Sequence, residues 1–132
     1  MKEDQSVTGG CLCREILYRV VGESRGSGYC HCQSCRSHTG APVVAFAVFS
    51  VEQVQWLSGE RSRYESSQGV FRSFCNHCGA SLTLEQGELI EFHISSLDSP
   101  NDYPPNEHTH FIDKIGWIDL ADNLPRYIGS IE

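Results

Sequence analysis

A chain of 132 residues, 39% hydrophobic and 20% charged, has the make-up of one globular domain over 1–132 and leaves no room for a second substantial core. Its formal charge of −7 argues against a general nucleic-acid binder, which needs a basic surface to meet phosphate. The opening MKEDQSVTGG is polar without an apolar core, and the longest apolar run, 43–49, is too short to span a bilayer, so the expectation is a cytoplasmic chain with no membrane partner.

The first chemical feature along the chain is Gly9-Gly10-Cys11-Leu12-Cys13. Read as a strand, it points Cys11 and Cys13 to one face. Ile16, Tyr18 and Val20 then alternate with Glu15, Leu17 and Arg19, predicting a strand from the cysteine pair to about Val21. Residues 22–28 read as a turn. Cys30-His31-Cys32-Gln33-Ser34-Cys35 follows, with a helical turn predicted over 34–39. The run 43–49 reads as a buried strand and 51–53 as a second helical turn. Further strands are expected at 54–57, 70–74, 80–84 and 89–95, separated by turns at Ser58-Gly59, 66–69 and Gln86-Gly87. Residues 96–107, with Pro100, Pro104 and Pro105, read as a proline-rich loop. The fold class is therefore mainly β, as small sheets packed into one domain.

Seven cysteines without an export signal point to reduced thiols binding metal rather than to disulfides. Cys75-Asn76-His77-Cys78-Gly79 has the shape of a zinc knuckle, in which a tight turn aims two sulfurs inward and glycine tolerates positive φ. Joined with Cys11 and Cys13, it completes a four-thiolate site that clamps a long stretch of chain. Cys30, Cys32 and Cys35 supply only three ligands. One reading leaves a tetrahedral zinc with an open, catalytic position; the other fills that place with His31, His38 or a distant histidine. His31, between two ligands on a shared face, should point away from them, whereas His38 reaches the site if its segment is helical. A redox pair at Cys32 and Cys35 is a further reading, without the βαβ surroundings usual for one. His93 is expected as a hydrogen-bonded, half-core residue. His108 and His110 either line a pocket or face solvent, and Trp56 and Trp117 are expected to pack.

These residues together resemble the glutathione-dependent formaldehyde-activating family, which centromere protein V also resembles. The resemblance rests on G-x-C-x-C, C-H-C-x-x-C-R followed by Gly-Ala-Pro, and F-C-x-x-C-G. It continues through Arg63-Tyr64, Ser96-Leu97-Asp98, Trp117 and Leu124-Pro125-Arg126-Tyr127, covering about 9–127. Arg14 departs from the pattern, standing where the family commonly has glycine. The resemblance implies a β-rich fold of several coiled antiparallel sheets, similar to a small zinc-containing Rab-associated chaperone. It also implies two zincs per chain, a structural one on Cys11, Cys13, Cys75 and Cys78 and a catalytic one on Cys30, Cys32 and Cys35.

The activity expected from the resemblance is that of an S-(hydroxymethyl)glutathione synthase-like carbon–sulfur lyase, joining glutathione or a related thiol to formaldehyde or another small aldehyde. Ser34, Arg36, Ser95 and Ser96 are candidates for holding the thiol. The alternatives are a non-catalytic zinc module that binds a protein or carries a thiol metabolite, and a methionine sulfoxide reductase, which needs one cysteine kept free of metal.

Overall fold

The computed structural model describes residues 5–129, so residues 1–4 of the polar opening and 130–132 lie outside it. β1 (Ser6–Gly10), β2 (Leu17–Val21) and β5 (Val54–Ser58) form an antiparallel sheet in the order β1-β2-β5. A second sheet runs β10 (His108–Thr109), β3 (Gly26–Cys30), β4 (Val44–Ser50), β9 (Leu89–His93), β8 (Ser81–Gln86), β7 (Val70–Phe74), β6 (Ser62–Ser67). Its neighbours are antiparallel, except that β10 runs parallel to β3. One helix, α1 (Gln33–Thr39), joins β3 to β4 and stops at Gly40, whose φ of 80° lets its N–H reach the Arg36 carbonyl at 2.7 Å. Among the described residues no helix is long and apolar enough to cross a membrane.

β4 explains how the large sheet works. Ala45, Ala47 and Phe49 face the main core, where Tyr18 and Val20 of the small sheet meet Ile90 and Phe92 of β9. Tyr18 stacks on Phe92 at 4.3 Å between ring centroids, with Trp56 edge-on at 5.7 Å. Val44, Phe46 and Val48 face the other way, against Cys30, Cys32 and Cys35. A strand covered on both faces reads as a continuous apolar run rather than as an alternation. The metal-ligand cluster thus sits on the opposite side of the large sheet from the main core.

Several expectations need correction. Cys11 and Cys13 lie in a turn after β1, not in a strand, and β2 begins only at Leu17. Residues 22–28 are not all turn, because β3 starts at Gly26, and β9 ends at His93 rather than at residue 95. β1, β6 and β10 went unpredicted. The helical segments at 34–39 and 51–53 and the strand at 70–74 match α1, a 3-10 turn at Val51–Gln53, and β7.

Candidate metal centres

The first centre is built from two turns. Cys11 takes the N–H of Ile16 on its sulfur at 3.3 Å, while its own N–H donates to the Ile16 carbonyl at 3.1 Å. In the second turn the Cys75 sulfur accepts from the N–H groups of His77 and Cys78 at 3.4 and 3.5 Å, and Gly79, at φ 80°, closes the loop. The turns lock together where the Cys13 N–H donates to the Cys78 sulfur at 3.4 Å. All four sulfurs lie within 4.8 Å of one another.

Zn–S bonds of about 2.3 Å at tetrahedral angles set sulfurs about 3.8 Å apart. The Cys11–Cys13 and Cys13–Cys75 separations of 3.6 and 3.9 Å match that edge and are far beyond a disulfide bond. The crowded thiols respond unequally. Backbone N–H groups of Ala80 and Cys13 draw the Cys78 thiol down to about 6. Cys13, although the Glu15 backbone lowers it, is pushed up to about 12 by burial and by the sulfurs of Cys11, Cys78 and Cys75. Such a set cannot ionise fully until a cation offsets the mutual repulsion, so the residues fit a soft divalent metal.

The second centre is local in sequence. Cys30 ends β3, Cys32 is the N-cap of α1, and Cys35 lies in its first turn. The cap is made by sulfur: Cys32 Sγ accepts the Cys35 N–H at 3.3 Å. Hydrogen bonds from Cys30 and Cys35 hold the Cys32 thiol far below its ordinary range, while the sulfurs of Cys32 and Cys35, with burial, push Cys30 far above it. The three sulfurs lie within 4.8 Å of one another, and among the described residues no histidine, carboxylate or fourth cysteine joins them. This donor set also fits zinc, as a three-thiolate holder.

The histidines proposed as a fourth ligand turn elsewhere. His31 pairs with His108 on the reverse side, as its place between two ligands predicts. His38 faces His93, their ring centroids 5.4 Å apart. His93 is buried, and both its nitrogens lack a partner among the described residues, against the hydrogen-bonded role expected of it. Cys30 stands beside the Cys32 and Cys35 pair rather than left over from it.

The three-cysteine centre closes one end of a pocket of about 400 Å³. Its floor is the large sheet, with Phe46, Val48 and Leu84 as apolar surface. Ser34 and His110 line it, but Arg36, Ser95 and Ser96 do not. Arg36 donates instead to the carbonyls of His31 and Asp113. Ser96 bonds the Tyr18 hydroxyl on the core side, and Ser95 borders a hollow beside the four-cysteine centre. His108 is fully buried, Trp56 packs on the core, and Trp117 is 74% exposed rather than packed.

Sequence reasoning missed Arg72. It is buried, its Nη1 donates to Cys35 Sγ at 3.5 Å, and its Nε donates to Ser66 Oγ at 3.0 Å. The signal was available in an arginine set within an otherwise strand-like VFRSF.

Residues 6–113 match the family described as glutathione-dependent formaldehyde-activating enzyme. The chain belongs to this family. The matched range contains all seven cysteines but stops short of Trp117 and of Leu124-Pro125-Arg126-Tyr127, which the sequence resemblance had included. The chain is 32% identical over 74 residues to an uncharacterized lyase of Schizosaccharomyces pombe, a match covering 56% of this chain and 53% of that protein. The chain thus spans about half the length of this curated relative. A crystal structure of a Rhodobacter sphaeroides protein superposes with a TM-score of 0.58 at 16% identity, covering 90% of this chain and 98% of that one. The likeness shows a shared fold across nearly the whole chain.

Proposed function

We propose that this chain is a zinc-dependent, lyase-type enzyme that joins a low-molecular-weight thiol, glutathione or a relative of it, to formaldehyde or another small aldehyde. The observation that carries this reading is the three-sulfur set at the end of a pocket, with no fourth side-chain ligand beside it among the described residues. Family membership supports it, as does a relative named as a lyase. The structural role falls to Cys11, Cys13, Cys75 and Cys78, and the catalytic one to Cys30, Cys32 and Cys35.

When bound, zinc supplies a Lewis acid that favours the thiolate form of the incoming thiol. The chain's own residues do the rest. Cys30, Cys32 and Cys35 hold the metal, and Arg72 fixes the Cys35 sulfur with an N–H. Phe46, Val48 and Leu84 keep the pocket floor dry, and Ser34 offers a hydroxyl beside the sulfurs. In the reaction a sulfur–carbon bond forms at the aldehyde carbon, and the thiol proton ends on the former carbonyl oxygen. The product is a hemithioacetal, nothing is oxidised, and the reverse reaction breaks the carbon–sulfur bond.

The test is adduct formation followed by NMR with zinc-loaded protein, several thiols and several aldehydes. Acceleration over the spontaneous rate, lost in Cys32→Ser, supports the enzyme. Thiol binding without turnover makes the chain a carrier instead, and no binding at all removes the reading.

A further inference from the structure

The charges around the pocket bear on which thiol it takes. The charged side chains lining it are Arg72, Glu91 and Glu107. Arg72 is the cation of the three, and it is already engaged with Cys35 and Ser66 and only 7% exposed. Three thiolates around a divalent ion add a further net negative charge at the closed end. The pocket is therefore negative overall, as is the whole chain at −7.

Glu107 is the telling residue. β10 runs parallel to β3 with His108 opposite Tyr29 and Thr109 opposite Cys30, which sets Glu107 level with Gly28. A Cβ on Gly28 would come within 3.0 Å of Glu107 Cγ and 3.1 Å of the Phe46 ring, so the bare glycine gives the Glu107 side chain its path. Gly28 and Cys30 share a strand face and lie two residues apart, roughly 7 Å along the strand. Among the described residues no N–H, hydroxyl or cation pairs with the Glu107 carboxylate. Its pKa is raised by burial, the mark of a carboxylate partly removed from water without a compensating partner. A half-buried, unpaired carboxylate one short step from the metal ligands calls for a cation from the ligand.

We propose that the thiol taken by this pocket is a short aminothiol, with its ammonium group two or three carbons from the sulfur and seated on Glu107. The inference rests on the three-cysteine centre being a thiol site. A two- to three-carbon spacer lets sulfur approach the cysteine end while the ammonium reaches the level of Gly28. A thiol with carboxylates, glutathione included, brings net negative charge to a pocket whose one arginine is already spent on Cys35 and Ser66.

The experiment is calorimetric titration of the zinc-loaded full chain at pH 7 with cysteamine, 2-mercaptoethanol, 3-mercaptopropionate and glutathione. Three of these share a short skeleton and differ in carrying an ammonium, a hydroxyl or a carboxylate. Cysteamine is expected to bind about tenfold or more tightly than 3-mercaptopropionate, with 2-mercaptoethanol between them. Glu107→Gln should erase that gap while leaving 2-mercaptoethanol unchanged. Chelation of zinc by free thiol is common to both proteins and drops out of the comparison. The proposal is overturned if 3-mercaptopropionate or glutathione binds as tightly as cysteamine, or if the gap survives in Glu107→Gln. Glu107→Ala, read in the same way, keeps the comparison if Glu107→Gln fails to fold. Binding of 2-mercaptoethanol with the wrong charge ranking sinks the aminothiol inference alone, whereas no binding by any thiol removes the thiol site and this inference with it.

Discussion

His31 Nε2 lies 2.9 Å from His108 Nδ1, and neither ring is exposed. His108 Nε2 in turn faces both oxygens of Asp122 at 3.1 and 3.2 Å. A carboxylate can only accept, so His108 carries a proton on Nε2, and the facing nitrogens of His31 and His108 share one further hydrogen bond. This chain of side chains pins the segment between Cys30 and Cys32 from behind, through β10 and the carboxy-terminal stretch. His108→Ala would leave the His31 ring with no hydrogen-bond partner among the described residues and open a hole in a closed site. The expected loss is about 3 kcal/mol of stability, measured by urea unfolding at fixed zinc.

The two cysteine sets should separate under mutation. Cys75→Ser removes a ligand that joins turns far apart in the chain, so bound zinc should fall from two ions to one and cooperative unfolding should disappear. Cys32→Ser also removes one zinc but touches only the small cluster of Cys30, Cys35, Val44 and Phe46, leaving the main core intact. Its thermal transition should stay cooperative. Metal analysis beside circular dichroism melts distinguishes the two outcomes, and equal damage from both variants would contradict the division of roles.

The cysteine partition was legible because ligand spacing is a local property. Cys75 to Gly79 and Cys30 to Cys35 each declare a turn within a few residues. Strands such as β4 and β7 were legible from their apolar content. β3 was not, since Gly26, Ser27 and Gly28 have the composition of a turn. Those small residues serve tertiary needs instead: Ser27 Oγ donates to the Pro104 carbonyl, and Gly28 makes way for Glu107. β6, with SRYESS, is a largely exposed edge strand and carries no apolar alternation. Arg72 and Glu107 reach the pocket through pairings between distant strands, which no short motif encodes.

Glu85 gives the fold a predictable acid dependence. Arg61 grips its carboxylate through Nε and Nη2 at 2.7 and 2.9 Å, Arg63 adds a third contact at 3.3 Å, and the Thr83 hydroxyl donates at 2.8 Å. Burial alone would raise the Glu85 pKa, but Arg61 and Thr83 outweigh it and hold it below the ordinary value. A lowered folded pKa contributes stability above the unfolded value of about 4.3, and that stability drains away as pH falls through the folded value. Glu85→Gln should therefore cost about 3 kcal/mol at pH 7. The gap to wild type should hold at pH 7 and 5 and begin to narrow only below the unfolded value of about 4.3, as urea titrations down the acid range would read.

Gly9 is fixed by contact rather than by φ. A Cβ there would sit 2.5 Å from the Ser96 carbonyl and 2.5 Å from the Tyr18 hydroxyl, where β1 meets the segment after β9. The Ser96 obstacle is backbone, and Tyr18 is locked by its stacking on Phe92. Gly9→Ala should destabilise by about 1–3 kcal/mol in chemical unfolding. It should leave zinc at two per chain, because the clash lies outside the ligand turn.

Arg14 offers the opposite case, a residue whose replacement by glycine should help. It holds φ at 66°, one of two non-glycine residues in the left-handed region among those described. The turn from Cys11 needs that conformation, since the Arg14 N–H donates to the Cys11 carbonyl at 3.1 Å. A side chain there costs about 1 kcal/mol. Arg14 recovers part of this by reaching Asp98 at 3.2 Å, but both partners are about half exposed, and such pairs contribute little. Arg14→Gly should therefore be stabilising by up to about 1 kcal/mol. Arg14→Ala keeps the strain and loses the pair, so it should fall below wild type, by a margin that shrinks as salt screens Asp98. Melting temperatures at low and high salt read that order, and a glycine variant less stable than wild type would show that the Asp98 contact, not the backbone, governs the turn.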